Sequence, residues 1–337
     1  MQRPAAVPSC TFHGRCLRHA GIACRTEETS MHRQRDFVLM VMLAAAVPAC
    51  GQAVAQTTSG TQGAASTTDF SGIWTKPYFG IESPRSGPGP VTNRSRRNGV
   101  RDMYQYVGDY TNPILKPQAA EIVKKYGEIA RTGVVFPSPR NQCWPVGVPG
   151  IFSDITMQII QEPEKITIIY SADREIRRVR MNASHKVPVT PSWSGDSVGH
   201  FEGDTLVIDT IGVRIGPFAM VDIYGTPHTA ALHVVERYRL IESEAAREGQ
   251  QWGLKENPYV PDGGDGGLPI DADYKGKGLQ LQFTVEDDGV FTTPWSATVT
   301  YRRASGQWPG EFVCAENLRA TYMTRDSDVP RADRPDF

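Results

Sequence analysis

The sequence predicts an all-β fold, an antiparallel up-and-down β-barrel with an irregular N-terminal wrap containing one helix. Three observations carry this reading. From residue 155 onward, runs of β-branched and aromatic residues alternate with short turn signals, and no strand–helix alternation intervenes. The linkers between successive runs are short, which favours a meander, and closing the meander removes exposed edges. The 337 residues include 32 glycines and 25 prolines, a turn-rich composition.

The first 55 residues read as an upstream extension and an export signal rather than fold. Met31-His-Arg-Gln-Arg begins a basic segment. Residues 37–47 are apolar but too short to span a bilayer, and Ala53-Val-Ala55 is a small-residue cleavage signal. The mature chain is then periplasmic or secreted. Val47-Pro-Ala-Cys50 offers another reading, a lipid anchor at Cys50 and an outer-membrane lipoprotein. Residues 56–68 form a flexible linker, 69–320 a single domain, and 321–337 a tail.

Asp69-Phe-Ser-Gly-Ile-Trp74 opens the domain. A Gly-x-Trp on a first strand is familiar from lipocalin-like barrels, where the ring plugs one end, and that is the barrel type expected. Residues 80–100 are too rich in Pro, Gly and Arg for a regular element. A helix is expected at 116–130. Pro117 stands near its start, Ala119, Ile122, Val123, Tyr126, Ile129 and Ala130 form an apolar stripe, and Gly133 follows its end. Residues 141–149 form a rigid loop that positions Cys143. Strands are expected at 157–161, 166–170, 175–181, 231–240, 279–285 and 295–301, with a Pro-rich connection at 185–191.

The stretch 193–210 reads as a hairpin turning at Gly203-Asp204. Glu202 then pairs with Thr205, Phe201 with Leu206, His200 with Val207, Gly199 with Ile208 and Val198 with Asp209. One face carries Phe201, Leu206 and Ile208. The other carries His200, Glu202 and Asp209 among Val198, Val207 and Thr205. The apolar face has first claim on the interior, which leaves the titratable face to solvent unless the barrel holds a polar cavity.

Glu236 shares a strand face with Leu232, Val234 and Tyr238. Burial there would raise its pKa and suit it to general acid/base work. The alternative is a structural ion pair with Arg178, Arg180 or Arg237. Asp196 either caps a turn or sits at the barrel mouth. His200, His228 and His233 lack metal-site spacing, and Asp262, Asp265, Asp271 and Asp273 lack a calcium-loop pattern, so no metal is expected. No nucleotide or dinucleotide fingerprint or nucleophile elbow occurs, so no cofactor is expected. The formal net charge of −1 implies no nucleic-acid partner and no membrane-surface partner. Of six cysteines, Cys143 and Cys314 remain in the mature chain; a disulfide is the simplest reading and a reactive thiol the alternative.

Gly195-Asp-Ser-Val-Gly-His-Phe-Glu-Gly-Asp-Thr-Leu-Val-Ile-Asp-Thr210, Leu232-His-Val-Val-Glu-Arg-Tyr238, Phe283-Thr-Val-Glu-Asp287 and Pro294-Trp295 resemble a large, mostly uncharacterised family of secreted bacterial proteins. Its core motif is Gly-Asp-Ser-x-Gly-x-Trp-Glu-Gly-Asp-Thr-Leu-Val-Val. The resemblance extends to residues 143–149 and to Cys314-Ala-Glu-Asn317, and it implies export, a barrel and a Cys143–Cys314 pair. Here Phe201 replaces the family's Trp and Asp288 its Pro. Residues 243–278 are an insertion, read as a lid or rim loop.

The expected function is an exported, cofactor-independent acid/base enzyme of isomerase, lyase or hydratase type. It would act on a small, partly apolar organic molecule in the barrel. Glu236, His200, Asp196, Arg237 and His233 are the candidate catalytic residues; Trp193, Tyr238, His228, Arg178 and Trp295 are the candidate substrate contacts. The alternatives are a non-catalytic carrier of a small apolar or aromatic ligand and a lipidated structural protein of the envelope.

Overall fold

A computed structural model describes residues 68–94, 106–132, 136–171, 175–216, 218–257, 267–306 and 308. The expected export signal, Cys50, the post-signal linker up to residue 67, Asp262 and Asp265, Cys314 and the tail lie outside the described residues. Nine strands, β1 (Gly72–Thr75), β2 (Thr156–Gln161), β3 (Lys165–Tyr170), β4 (Ile176–Met181), β5 (Asp196–Glu202), β6 (Thr205–Ile211), β7 (His233–Ile241), β8 (Gly278–Glu286) and β9 (Trp295–Arg303), close into one barrel in sequence order.

The expectation of a wholly antiparallel barrel needs correction. β4 and β5 run parallel, through Val179–Ser197, Arg180–Val198 and Met181–Gly199. The reason is arithmetic: strands that alternate direction around a ring of nine must meet one neighbour running the same way. The Pro-rich connection between Met181 and Asp196 is therefore a crossover strap and not a hairpin loop.

Alternation fixes what lies inside. Ile166, Ile168, Val179, Leu206, Ile208, Val234, Leu281, Phe283 and Val299 are buried, each on the inward side of its strand. The β5–β6 hairpin has the expected register, from Glu202↔Thr205 to Val198↔Asp209, and turns at Gly203-Asp204. Trp74 is buried, its Nε1 donates to the Phe70 carbonyl at 2.9 Å, and the Arg303 guanidinium lies 4.4 Å from its ring.

The helix α1 (Pro117–Arg131) forms where expected. It packs through Ala119, Val123 and Gly127, whereas Ile122 is left exposed. A second helix, α2 (Ser243–Glu256), corrects the reading of the insertion as a rim loop. Ala246, Gln250 and Gly253 form its buried side. Gly253 lies so close to Tyr78 that a Cβ there would come within 2.3 Å of the ring. Gln250 Nε2 donates to the Thr75 carbonyl at 3.1 Å and the Thr300 carbonyl at 3.3 Å, tying α2 across the junction of β1 and β9.

That junction is short, with only Trp74↔Arg303 and Thr75↔Arg302 paired. Past it, the chain after β1 fills the gap. Glu82 exchanges backbone hydrogen bonds with Thr298, and its carboxylate accepts from the Thr300 amide at 2.9 Å and from the Tyr78 hydroxyl. Lys76 Nζ donates to the Ser153 carbonyl at 3.1 Å and to that of Gly80. Burial lowers the Lys76 ammonium to about 7, although Asp154 and Glu82 pull the other way.

Candidate functional site

One polar cluster lies buried within the largely apolar barrel. Arg177 on β4 and Glu236 on β7 meet head-on, Arg177 Nη1 donating to Glu236 Oε2 at 2.8 Å and Nη2 to Oε1 at 2.6 Å. Their side chains are 1% and 0% exposed. The remaining guanidinium hydrogens reach Ser197 Oγ at 3.1 Å and Thr210 Oγ1 at 2.7 Å, and the Tyr238 hydroxyl donates to Glu236 Oε2 at 3.0 Å. Burial alone would lower the Arg177 pKa; the Glu236 carboxylate outweighs it and holds the guanidinium firmly charged. Tyr170 stands beside this pair, fully buried, its hydroxyl pushed to a higher pKa by burial. Glu236 is therefore buried, but its partner is Arg177, not Arg178, Arg180 or Arg237.

None of the other expected catalytic residues reaches Glu236. His200 lies on the outer face, half-exposed, 3.2 Å from Glu202. Arg237, one residue from Glu236 and so on the opposite side of β7, pairs with Glu202 at 2.7 Å. Asp196 faces outward and binds Arg180 at 2.8 Å. His233 faces outward too, its Nε2 3.0 Å from Asp209 Oδ2. The acid/base set is thus split by the barrel wall, because residues at odd and even offsets along a strand point to opposite faces.

The expected substrate contacts are also dispersed. Tyr238 belongs to the Arg177–Glu236 centre. Arg178 is exposed on the outer face, since β4 turns Arg177, Val179 and Met181 inward. Trp295 is a core residue packed edge-on to Phe283 and Phe291. His228 is buried, its Nδ1 3.2 Å from the Thr229 carbonyl, and burial lowers its pKa. Cys143 is disulfide-bonded. Every other cysteine, the expected partner Cys314 included, lies outside the described residues.

Trp193 has a different setting. It ends the crossover strap, and the loop after β6 returns beside it. Its half-buried ring meets Trp144 edge-on at 5.3 Å between centroids, and Trp144 meets Phe218 at 5.6 Å. The Arg214 guanidinium, exposed, lies 5.6 Å from the Trp193 ring. Gly147 makes the approach possible, for a Cβ there would stand 2.4 Å from the Trp193 carbonyl oxygen. The Glu175 carboxylate accepts from the amides of Val146 and Gly147 at 2.9 and 3.2 Å and from Ser194 Oγ at 3.3 Å, next in the chain to Trp193. Burial raises the Glu175 pKa against these bonds.

Sequence reasoning missed Arg177, Ser197, Thr210 and Trp144. Arg177 was accessible in principle, because Val179 and Met181 share its parity; the exposed Ile176 argues the other way. Trp144 gives no periodic signal because it lies in an irregular loop. Among the described residues, no group of three or more His, Cys, Asp or Glu is arranged to hold a metal ion. No helix among them is long and apolar enough to cross a membrane. No family model, no curated protein and no solved structure matches the chain.

Proposed function

We propose that the protein is an exported, lipocalin-like binding protein for a small, flat, anionic ligand, held at the aromatic mouth formed by Trp144, Trp193, Phe218 and Arg214. The observation that carries this reading is the cluster itself: three half-buried rings meeting edge-on, beside an exposed guanidinium. Aromatic faces take a planar ligand, and an arginine next to them takes its carboxylate. The Arg177–Glu236 centre supports binding rather than acid/base catalysis. Three hydrogen bonds reach the two oxygens of Glu236, which leaves it engaged in holding Arg177 and Tyr238. The secreted-family resemblance adds the compartment to the proposal.

The test is fluorescence titration of the purified protein with benzoate-type and indole-type carboxylates, with cyclohexanecarboxylate as the non-aromatic control. Trp193→Ala and Arg214→Ala are run alongside. Binding that weakens about tenfold in each variant, equivalent to about 1.4 kcal/mol, supports the reading. Unchanged emission with every probe, or equal affinity in the wild type and both variants, refutes it.

A further inference from the structure

The outer wall carries a line of charges that crosses five adjacent strands. Arg180 on β4 binds Asp196 on β5 through two contacts, at 2.8 and 2.9 Å. His185, from the crossover strap, places Nδ1 3.1 Å from Asp196 Oδ2 and Nε2 2.8 Å from Asp209 Oδ1 on β6. The other oxygen of Asp209 faces His233 Nε2 on β7 at 3.0 Å, and His233 Nδ1 faces Glu286 on β8 at 3.5 Å. Each of the two imidazoles therefore has a carboxylate at both nitrogens. A neutral imidazole has one N–H and one lone pair, so it satisfies one of its two carboxylates and repels the other. Only the doubly protonated ring donates to both.

We infer that this line is a pH-sensitive belt: with His185 and His233 protonated it locks the strap over the barrel's one parallel seam, and with both neutral it lets the strap go. The charge count shows why. Protonated, the belt sets three cations (Arg180, His185, His233) against three anions (Asp196, Asp209, Glu286). Neutral, it leaves Arg180 alone against the same three carboxylates. The seam it covers is thin, three residue pairs between β4 and β5. The ties that do not involve a histidine ring sit close to the ends of the strap, Asn182 N on Gly199 O and Ser192 N on Gly212 O, or near Asp196 and Arg180, through Lys186 N and Ser184 O. Loss of the belt therefore loosens the strap around His185 first, while Val189 keeps its contact with Gly212. Val187, two residues on from His185, is 96% exposed and adds no packing of its own.

The direction follows from linkage. Burial lowers the His233 pKa, but Asp209 and Glu286 outweigh it and raise it above its ordinary 6.5. A histidine with a raised folded pKa contributes stability fully below about 6.5, and that contribution is lost as pH rises through the raised value. Asp196 and Asp209 set the acid limit. Burial raises each, but hydrogen bonds from Lys186, Arg180 and His185 on the one, and from His233 and His185 on the other, hold both below 3.8. Their contribution is present above about 3.8 and is lost as pH falls through the lowered values.

Hydrogen exchange of the whole chain tests the inference without any substitution. Exchange of the Lys186 amide, which donates to Asp196 Oδ2 at 3.0 Å beside His185, is expected to accelerate about tenfold between about pH 5.5 and 8.5 after correction for intrinsic rate, the change that loss of a charge-assisted contact supplies. The exchange of β7 and β8 stays fixed. Constant protection of the strap across that range overturns the belt. A second arm compares thermal midpoints of the wild type and the His185→Gln/His233→Gln variant. The wild type is expected to melt about 4 °C higher at about pH 5.5, with the gap closing at about pH 8.5. A gap independent of pH, or no gap at either, overturns it.

Discussion

Glu236→Gln is the sharpest test of how the barrel centre is built. The substitution keeps the shape of the side chain and its bond from Tyr238, and it removes one charge from a pair that is 1% and 0% exposed. Arg177 then holds a full positive charge inside the barrel, with Ser197 and Thr210 as its remaining partners. Breaking a buried pair in this way costs about 3–5 kcal/mol, because one ion stays uncompensated. For a domain of about 250 residues that corresponds to a fall in Tm of about 6–20 °C. Replacing both partners by residues of similar volume, Arg177→Met with Glu236→Leu, removes the ion and its desolvation cost together. That double variant is expected to fall within about 2 kcal/mol of the wild type. The assay is reversible urea denaturation at neutral pH, with the slope compared between variants to confirm the same unfolding. A Glu236→Gln protein as stable as the wild type, or more stable, would refute the reasoning. It would point instead to a carboxylate held at a cost in stability, as functional groups often are.

Two further outcomes follow from the gap-filling cluster beside β1. Lys76 is about 7 in the fold against 10.5 unfolded, so wild-type stability is expected to rise between about pH 7 and 10.5, and Lys76→Met to flatten that rise, both read from urea midpoints. Gly253→Ala adds a methyl group to α2 at a point 2.3 Å from the Tyr78 ring. Although alanine favours helix by about 1 kcal/mol, the overlap is expected to win and destabilise by about 1–3 kcal/mol, with lowered exchange protection confined to α2 and residues 78–82.

The hairpin was legible because two signals agreed. Gly203-Asp204 sets the turn, and the alternation of Leu206 and Ile208 with Val207 and Asp209 sets the face. Glu236 was legible for a related reason, since Val234 and Tyr238 share its side of β7. Its partner was harder to read. β4 carries three arginines in its six residues, and the choice among Arg177, Arg178 and Arg180 depends on a parity that Ile176 contradicts. α2 was hidden because its buried side is Ala246, Gln250 and Gly253. Small and polar residues suit a close approach to β9, but they give no apolar stripe. The aromatic cluster was illegible except for Trp193, since Trp144, Arg214 and Phe218 come from irregular loops that meet only once the barrel has closed.

Strand number links these features. A ring of nine forces one parallel neighbour, and a parallel neighbour requires a connection long enough to return to the same end of the barrel. That connection places His185 over β5 and β6 and delivers Trp193 to the ring of Trp144. On the inside, the same seam sets Arg177 of β4 beside Ser197 of β5, so the guanidinium spans a strand pair with three registered residue pairs. The seam is thus braced from both faces, by a fixed charge within and by a belt of titratable groups without. An even-stranded barrel would need neither the strap nor its braces, and the sequence 182–195 would reduce to a short turn.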